Sequence, residues 1–428
     1  MTDLPTLGQP RRASGPEGRR VLIIVENLPV PVDRRVWMEA TTLHAAGYDV
    51  SVICPTGRGQ DRLFEVLEGI AIYRHPLPPE GEGSLTFVRE YLVALWHETR
   101  LAWRVRRERG FDVIHICNPP DLLFLVAAPF KALFGTPLIF DHHDATLEMY
   151  EAKFGRRDLP YHVLRLAERL TYALADVVMA TNESLRGFAL GRGRKAPENV
   201  FVVRSGPRLD RFVPKAGGER YRAGFPHVVG YVGVLGSQDG LDVLLRVVRR
   251  VVDQGRTDIR FMIIGGGPSL DALKALCTAM SLDPYVEFTG MLTDQDELIQ
   301  RLSTCDVCVA PDPRTSYSDV CTMNKVLEYM ALGKATVQFD LTEGRHSAGD
   351  AAVYARPNDE EDFAQKLLAL LADPARQAEM GRIGQARMHQ ALAWEHQAPQ
   401  LLAAYARALG TRARDARAGA AATSGDIA

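Results

Sequence analysis

Short apolar runs alternate with longer amphipathic stretches along most of the chain. In the first half, seven runs rich in β-branched residues are separated by segments with apolar residues at helical spacing; the runs begin at Val21, Tyr48, Ile70, Phe111, Pro137, Asp176 and Phe201. Alternation of this kind predicts βα units, that is, a parallel sheet with helices on both faces.

A second series of the same kind begins after Pro214. Its six runs begin at His227, Ile259, Val286, Asp306, Ala335 and Ala351. Between the two series, residues 207–218 are rich in Pro and Gly and have no periodicity, which is typical of a linker. The pattern therefore predicts an α/β protein of two doubly wound, Rossmann-like domains that face each other across a cleft. Ligands of such sheets bind at the carboxyl ends of the strands.

These patterns also predict the domain boundaries. We place the N-terminal domain at residues 21–210 and the C-terminal domain at residues 211–390. The last helical stretch, residues 391–409, is a candidate to cross back to the N-terminal domain. Residues 1–20 and 410–428 contain few large apolar side chains, so we expect both to be disordered tails.

Charge and cysteine content narrow the possible functions. The 428 residues include 51 Lys and Arg against 53 Asp and Glu, a net charge of −2, so we expect no nucleic-acid partner. No apolar stretch is continuous enough for a signal-peptide core or a membrane span. Six cysteines are too few for a disulfide scaffold. Together these features favour a cytoplasmic protein.

The strongest local motif is TMNKVLEYMALGK, residues 322–334. Its apolar spacing predicts a helix with Asn324 as N-cap and Gly333 near the C-terminal end. Lys325 then lies in the first turn and Glu328 one turn further on the same side. A helix N-terminus with a lysine suits an anion, and a carboxylate can accept hydrogen bonds from both hydroxyls of a ribose. The spacing alone equally fits a surface Lys–Glu pair.

A glycine-rich turn occurs in IIGGGPSLDAL, where a strand runs into Gly265, Gly266 and Gly267 and then into a helix. Such a turn brings backbone amides close to a phosphate, although a tight strand-to-helix turn needs the same residues. As a dinucleotide fingerprint it is incomplete, because Leu270 occupies the third glycine position. A hydride-transfer enzyme is therefore disfavoured.

Titratable residues crowd the segment DHHDATLEMY, which begins at Asp141 directly after an apolar strand. In this architecture, active sites lie at such strand ends. Adjacent histidines lack the spacing of a helical zinc motif, so we expect no metal site here. A neutral histidine that hydrogen-bonds a sugar hydroxyl is the simpler interpretation, and a loop held by its own polar contacts is the alternative.

Taken in order, these segments resemble the retaining family-4 glycosyltransferases (group 1 glycosyltransferases), which have the two-domain GT-B fold. The resemblance extends from about Val21 to Tyr405. Its most specific part is NKVLEYMALGK, which is similar to the family's block around the donor-binding glutamate. It implies that the C-terminal domain binds the nucleotide-sugar donor and that the N-terminal domain lies on the acceptor side.

The resemblance also implies roles for individual residues of the donor site. Glu328 would hold the ribose, and Asn324 and Lys325 would lie near the diphosphate. Further donor-binding residues are implied in the turn that opens the C-terminal domain, in the glycine turn and beside the base: Gly233, Gly265, Gly266, Gly267, Thr289 and Gly290.

On the N-terminal domain, the loop ENLPVPVDRR matches the family's acceptor-side position and the segment DHHD carries its cleft histidine. The match implies that His143 positions the donor sugar, so that His143, Lys325 and Glu328 form the catalytic set. The implied acceptor-side residues are Asn27, Arg34, Arg35 and Asp144.

Two departures from the family pattern affect the donor site. Many members bind the diphosphate with an Arg and a Lys in the turn after the first strand of the C-terminal domain, where this chain has Val234 and Asp239. Many also have an acidic residue eight positions before the ribose glutamate, where this chain has Val320, with Asp319 beside it. The resemblance is therefore to a branch in which Lys325 supplies charge for the diphosphate.

The resemblance implies metal-independent transfer of a sugar from a nucleotide diphosphate to a hydroxyl, with the departing phosphate taking the proton. No resident cofactor is expected, because the UDP- or GDP-linked sugar is a substrate. The acceptor is expected to be a saccharide or a lipid-linked saccharide in polysaccharide or glycoconjugate synthesis. Two alternatives remain: a sugar-nucleotide 2-epimerase of the same fold, and a non-catalytic nucleotide-sugar binder.

One helical stretch, residues 89–109, suggests a further partner. It combines an apolar stripe (Leu92, Leu95, Trp96, Leu101, Trp103) with five arginines (Arg100, Arg104, Arg106, Arg107, Arg109). A basic amphipathic helix can lie on an anionic membrane and bring a lipid-linked acceptor to the enzyme, on the inner face of the membrane. The same stretch also suits an ordinary sheet-covering helix with a solvated basic end.

Overall fold

The computed structural model describes residues 18–76 and 84–425 of the chain. They form two α/β domains, each built on one sheet, so the prediction of two doubly wound domains is confirmed. Most of the predicted tail of residues 1–20 lies outside the described residues, as do residues 426–428.

The N-terminal domain has an eight-stranded sheet in the order β3-β4-β2-β1-β5-β6-β7-β8. Every pair is parallel except β3 with β4, a short antiparallel edge pair that the apolar pattern does not predict because β3 is largely exposed. The strands are β1 (Arg20–Val25), β2 (Asp49–Pro55), β3 (Phe64–Leu67), β4 (Ile70–His75), β5 (Val113–Cys117), β6 (Leu138–His142), β7 (Val177–Ala180) and β8 (Val200–Val202).

Helices cover both faces of this sheet and give the domain two apolar cores. The central strands are buried on both sides, which explains their continuous apolar runs. The helices are α1 (Arg34–Ala45), α2 (Ser84–Glu108), α3 (Phe124–Phe134), α4 (Thr146–Phe154), α5 (Leu159–Leu174) and α6 (Glu183–Leu190).

The C-terminal domain has a six-stranded parallel sheet in the order β11-β10-β9-β12-β13-β14. Its strands are β9 (His227–Val232), β10 (Ile259–Ile264), β11 (Val286–Gly290), β12 (Val307–Ala310), β13 (Ala335–Phe339) and β14 (Ala352–Ala355). Its helices are α7 (Glu219–Arg222), α8 (Leu241–Asp253), α9 (Leu270–Ala279), α10 (Gln295–Thr304), α11 (Asn324–Ala331), α12 (Thr342–Ala348), α13 (Glu360–Leu371) and α14 (Pro374–Arg387).

The last helix, α15 (Trp394–Gly425), returns to the N-terminal domain. The indole of Trp394 donates a hydrogen bond of 2.9 Å to Thr42 on α1, and Tyr405 is fully buried in the N-terminal core. The helix continues through most of residues 410–428, for which the sequence predicts a disordered tail. The physical reason is composition, since this stretch is rich in Ala and Arg, which favour helix.

The strand order locates the cleft. In each sheet, strands are added first on one side of the domain's first strand and then on the other. The connections therefore switch direction between β1 and β5 and between β9 and β12. Ligands of doubly wound sheets bind at these switch points, outside the carboxyl ends of the strands. The loops that follow β1, β6 and β7 face those that follow β12 and β13.

Candidate active site

Contacts between the domains are made by loops that leave the carboxyl ends of strands. The Tyr317 hydroxyl donates to Asp144 at 2.8 Å, and the Ser184 hydroxyl donates to Glu343 at 2.7 Å. The Asn182 amide donates to the Val320 carbonyl at 2.9 Å. These bonds connect the loops at the carboxyl ends of the two sheets across a cleft.

The cleft contains a cavity of about 330 Å³, within the range of small-molecule sites. One wall comes from α1 and the loop before it, and the other from α11 and the segment after β11. The segment between the domains closes the third side. The lining residues are Pro31, Arg34, Arg35, Trp37, Met38, Ser205, Pro207, Arg208, Arg211, Phe212, Leu292, Thr293, Gln295, Leu298, Asn324 and Glu328.

Helix α11 presents the central motif to this cavity. Its inner face is buried, and the Tyr329 hydroxyl accepts from the Val232 amide at 2.9 Å and donates to the Val309 carbonyl at 3.2 Å. These bonds fix the helix under the ends of β9 and β12. Gly333 adopts a φ of 67° just past the helix, as a C-terminal stop requires. Asn324, the predicted N-cap, is the first helical residue, and the N-cap of the structure is Met323.

Glu328 faces the N-terminal domain across the cavity. Its carboxylate oxygen lies 2.9 Å from Nη1 of Arg34, and its side chain is 13% exposed. Burial raises the pKa of Glu328, and the Arg34 guanidinium opposes that shift. The Glu328 carboxylate is therefore available to a ligand that displaces one exposed arginine.

Lys325 turns away from the cavity toward the first strand of its own domain. Its ammonium lies 2.8 Å from Asp312, 3.6 Å from Asp239 and 3.3 Å from the Tyr231 hydroxyl. Burial alone would lower the pKa of Lys325, but the two carboxylates outweigh it and the pKa is raised. Lys325 is therefore a permanent cation whose charge is already compensated.

The glycines of the donor-side turns bring two loops into close contact. The Gly265 amide donates to the Gly290 carbonyl and the Gly233 amide to the Ile264 carbonyl, both at 3.1 Å. A Cβ on Gly265 would lie 1.9 Å from the Gly233 oxygen, and one on Gly267 would lie 2.7 Å from the Leu235 amide. Glycine is required here for close backbone approach, and the Gly233 and Gly265 amides are donated to the protein itself.

The remaining donor-side residues lie next to this contact. A Cβ on Gly266 would meet Met291 at an ordinary 3.4 Å, so this position is less crowded than Gly265. The Thr289 hydroxyl donates to the Gly290 carbonyl at 2.9 Å. The segment that includes Thr289 and Gly290 leads into Leu292 and Thr293, which line the cavity.

On the N-terminal domain, His143 is held in a defined orientation. Its Nε2 lies 2.5 Å from Asp141, and its backbone amide donates to Asn118 at 2.6 Å. Arg35 binds the same Asp141 through two bonds, of 2.9 and 2.7 Å. Burial opposes ionisation of Asp141, but Arg35 and His143 outweigh it and hold its pKa well below the usual range. His142, by contrast, is buried against the Tyr172 hydroxyl.

A buried polar cluster extends behind this histidine. Four potential metal ligands lie within 4.8 Å of one another: Glu39, Cys117, Asp141 and His143. The Arg35 guanidinium lies in the same cluster, 3.1 Å from Glu39, so the carboxylates already have a cation. Burial and the neighbouring Asp141 raise the pKa of Glu39 well above the usual range. The cluster is suited to holding His143 rather than a second cation.

The structure separates the four acceptor-side residues of the sequence analysis. Arg34 is exposed at the cavity, and Asn27 is exposed in the loop after β1. Arg35 is 7% exposed and also donates to the Val203 carbonyl at 2.7 Å, so it ties α1 to the sheet. Asp144 accepts from Tyr317 of the opposite domain, and burial raises its pKa.

Two family models match the chain, one for each domain. The model described as Glycosyl transferase 4-like domain matches residues 32–206, and that described as Glycosyl transferases group 1 matches residues 226–373. Together they span most of both sheets. The chain is a group 1 glycosyltransferase.

Named relatives of this glycosyltransferase have the same class of activity. The 2-deoxystreptamine glucosyltransferase of Streptomyces kanamyceticus is 23% identical over 72% of this chain and 80% of that protein. The MMP alpha-(1->4)-mannosyltransferase of Mycolicibacterium hassiacum is 24% identical over 85% of this chain and 91% of that protein. The prediction of an enzyme that transfers sugars is confirmed, and the epimerase and binding-protein alternatives are not favoured.

Solved structures show the same fold. Sucrose-phosphate synthase from Thermosynechococcus elongatus superposes with a TM-score of 0.77 at 18% identity. The superposition covers 92% of this chain and 100% of the synthase. Anabaena HepE in complex with UDP-glucose superposes with a TM-score of 0.65 at 16% identity, covering 90% and 98%. Within the described part of the enzyme, no helix is long and apolar enough to cross a membrane.

Several residues of the site were missed by sequence reasoning. Asp312 comes directly after β12, so the rule that sites lie at strand ends could have found it. The sequence analysis gives Asp141 no role beyond its place in a motif, although Asp141 binds both His143 and Arg35. The ion pair between Arg34 and Glu328 joins residues 294 positions apart, and no local pattern signals it.

Proposed function

We propose that the enzyme transfers a sugar from a UDP- or GDP-linked donor to a hydroxyl of a saccharide or lipid-linked saccharide, with retention at the anomeric carbon. Its role would be in polysaccharide or glycoconjugate synthesis. The observation that carries the proposal is Glu328, a carboxylate that lines the interdomain cavity and has an exposed arginine as its partner. HepE, which has this fold, binds UDP and UDP-glucose.

The cavity suits the nucleoside part of such a donor. Its lining combines apolar side chains (Phe212, Leu292, Leu298) with polar groups at its edge. The Glu328 carboxylate can accept hydrogen bonds from the 2′- and 3′-hydroxyls of a ribose. Asn324, one turn earlier on the same helix face, then lies toward the diphosphate.

The transfer itself breaks the bond between the anomeric carbon and the diphosphate oxygen, and the electron pair leaves with the nucleoside diphosphate. The acceptor oxygen forms the new bond on the same face of the sugar. Its proton passes to the departing phosphate oxygen, so the protein need not supply a base. What the protein supplies is positive potential for the leaving group, from the first turn of α11 and from nearby cations.

Within the N-terminal domain, His143 is the residue that we expect to orient the donor sugar. Its Nε2 is engaged by Asp141, which leaves Nδ1 for a hydroxyl group. Because Arg35 holds Asp141 from the other side, the imidazole is oriented before the sugar binds. We propose no resident metal or cofactor, since Arg35 already balances the carboxylates of the only described cluster of ligand type.

Calorimetric titration with UDP, GDP, ADP and CDP tests the donor site. One nucleotide should bind, and Glu328→Ala should weaken it by about 2 kcal/mol, about 30-fold, because a charged hydrogen-bond acceptor is lost. Glu361→Ala is the matched control and should bind like the wild type, because Glu361 is a partly exposed glutamate on α13 that pairs with Arg250. If the wild type binds none of the four nucleotides, the proposed donor site is wrong.

The acceptor side has a surface that suits an anionic membrane. Of seventeen large apolar side chains that are exposed in the described chain, eleven lie on helices α2 to α5. They are Tyr91, Leu92, Trp96, Leu125, Leu133, Phe134, Phe154, Leu159, Val163, Leu166 and Leu170. We call this set the N-domain apolar face. Concentrated exposed apolar surface is typical of an interaction site.

The face also carries an excess of positive charge. Among the side chains between residues 89 and 174 whose exposure is described, nine exposed cations stand against one exposed carboxylate, Glu108; two of the cations, Arg156 and Arg157, are paired with the half-buried Asp158 and Glu151. The cations are Arg89, Arg100, Arg104, Arg107, Lys153, Arg156, Arg157, Arg165 and Arg169. Apolar side chains among cations fit the interface of an anionic bilayer, so we propose peripheral attachment to the inner face of the membrane.

The structure shifts the centre of this surface away from the predicted stripe on α2. Leu92 and Trp96 are exposed, but Leu95, Leu101 and Trp103 pack against the N-terminal core. The most regular stripe lies on α5, where Leu159, Val163, Leu166 and Leu170 follow helical spacing. This helix therefore gives the sharpest test of membrane attachment.

A further inference from the structure

The cluster around Lys325 on the donor side of the cleft has no spare positive charge for a diphosphate. Lys325 is the one cation of its cluster and faces two carboxyl groups, Asp312 and Asp239. Val234 is 54% exposed at the turn where many family members have an arginine. A nucleoside diphosphate brings about two negative charges, so the C-terminal domain alone leaves them uncompensated.

The cavity does contain cations, and they come from elsewhere in the chain. Four arginines line it, two from α1 and two from the segment between the domains. Arg35 is bound to Asp141, and Arg208 to Asp210 through two bonds. Arg211 acts on the same Asp210 carboxylate, whose pKa it helps to lower. Each of these three arginines therefore has a carboxylate partner on its own side of the cleft.

Arg34 differs from the other three. It is the first residue of α1, its side chain is 70% exposed, and its carboxylate partner, Glu328, belongs to the opposite domain. That partner is the residue that the donor ribose would engage. A donor that takes over Glu328 therefore releases the Arg34 guanidinium at the edge of the diphosphate position.

We propose that Arg34 is a catalytic residue that binds the diphosphate of the donor and supplies the charge that Val234 and Asp239 do not. This inference rests on the donor site proposed above. Before the donor binds, Glu328 holds the guanidinium at 2.9 Å; afterwards the ribose occupies Glu328 and the phosphates take the guanidinium. An arginine suits this exchange because its planar fork can bind both phosphate oxygens and carboxylates through two hydrogen bonds. The cation thus reaches the leaving group from the N-terminal domain.

Calorimetry with UDP and with uridine separates this role from others. Arg34→Ala should weaken UDP binding at least tenfold and change uridine binding less than threefold, because uridine lacks the diphosphate. Arg34→Lys keeps the charge and should recover most of the UDP affinity. Arg186→Ala, which removes an exposed arginine paired with Glu183, controls for a general loss of positive charge and should bind UDP like the wild type.

Three results would overturn the inference. In one, Arg34→Ala binds UDP as well as the wild type or more tightly, which would make Arg34 only a competitor for Glu328. In another, UDP and uridine lose the same factor, which would place Arg34 on the nucleoside. In the third, Arg211→Ala shows the larger loss of UDP affinity, which would make the other arginine at the cavity the phosphate ligand.

Failure of the donor site itself looks different. If the wild type binds no nucleoside diphosphate, the proposed donor site falls and this inference falls with it. If the wild type binds UDP and Arg34→Ala does too, only this inference falls. As a positive test, Val234→Arg in the Arg34→Ala background should recover at least threefold in UDP affinity, because it returns a cation to the exposed turn.

Discussion

The two domains share one architecture but expose different outer surfaces. Helices α2 to α5 of the N-terminal domain carry eleven exposed large apolar side chains, whereas helices α8 to α14 of the C-terminal domain, all of which are described, carry none. In both domains, arginines on the outer helices are paired with carboxylates of the same domain, as Arg250 is with Glu360 and Arg157 with Glu151. The two outer surfaces therefore differ in exposed apolar side chains rather than in charge pairing.

The difference extends to the cleft. Lys325 of the C-terminal domain is compensated within its own domain by Asp312 and Asp239. Arg34 of the N-terminal domain and Glu328 of the C-terminal domain instead compensate each other across the cleft. The comparison supports the proposed division of roles, in which the C-terminal domain binds the nucleoside and the N-terminal domain orients the sugar and the acceptor.

The largest effect that separates the two roles is expected at His143. His143→Ala should lower turnover about 100-fold, because the sugar loses a positioned hydrogen-bonding group, while UDP affinity stays within threefold. Glu328→Ala should do the opposite and weaken UDP itself. Steady-state kinetics together with UDP titration of both variants gives the answer. A collapse of UDP affinity in His143→Ala would show that the domains do not divide the donor in this way.

The next effect concerns the N-domain apolar face. Leu166→Glu with Leu170→Glu should weaken binding to vesicles rich in anionic lipid at least tenfold, because two apolar side chains are lost and two negative charges are added. Ala275→Glu with Thr278→Glu makes the same charge addition on exposed positions of α9 and is the control. Co-sedimentation measures both. Equal binding by the two double variants would rule out α5 as the membrane contact.

A smaller effect is expected from a buried acid of the N-terminal domain. Glu98 on α2 is fully buried, its carboxylate oxygens have no hydrogen-bond partner among the described residues, and burial raises its pKa to about 8. Buried acids of the C-terminal domain are bonded, as Glu343 is to Ser184. A carboxyl whose pKa rises on folding binds more protons when folded, so its contribution to stability falls between about pH 4 and pH 8.

Glu98→Gln should therefore stabilise the protein increasingly with pH, by about 3 kcal/mol more at pH 8 than at pH 5. Denaturant unfolding at the two pH values measures this difference. Glu108→Gln, on the same helix but exposed and paired with Arg104, is the control and should show no such trend. If Glu98→Gln lost stability equally at both pH values, the carboxyl would be ionised and bonded in the folded protein.

Much of the fold follows from local patterns. The predicted strand runs account for all strands except β3, which is short, antiparallel and mostly exposed, so it lacks an apolar signal. The motif around Glu328 predicts a helix because its periodicity and its glycine stop are local features. The predicted helix starts one residue too late, since Asn324 is the first helical residue and not the N-cap; helix ends depend on the packing of the preceding loop.

The sequence could not predict which charged side chains of the site pair with one another. Lys325 has the residue type and position of a phosphate ligand, yet its neighbours Asp312 and Asp239 come from two other strand ends. Arg35 and Arg34 are adjacent in the chain, but one is buried on Asp141 and the other is exposed at Glu328. Adjacent residues of one type can differ in this way because successive positions of a helix point about 100° apart.

The sequence by itself determined the class of fold, the two-domain organisation, the family and the helix that carries Glu328. These depend on apolar periodicity and on contiguous motifs, which are properties of neighbouring residues. Only the tertiary structure decided which charged side chains are paired within the protein and which remain for a ligand. It also decided which apolar side chains stay exposed on α5. Electrostatic pairing and burial act between residues far apart in the chain, so they exist only once the sheets and helices have packed.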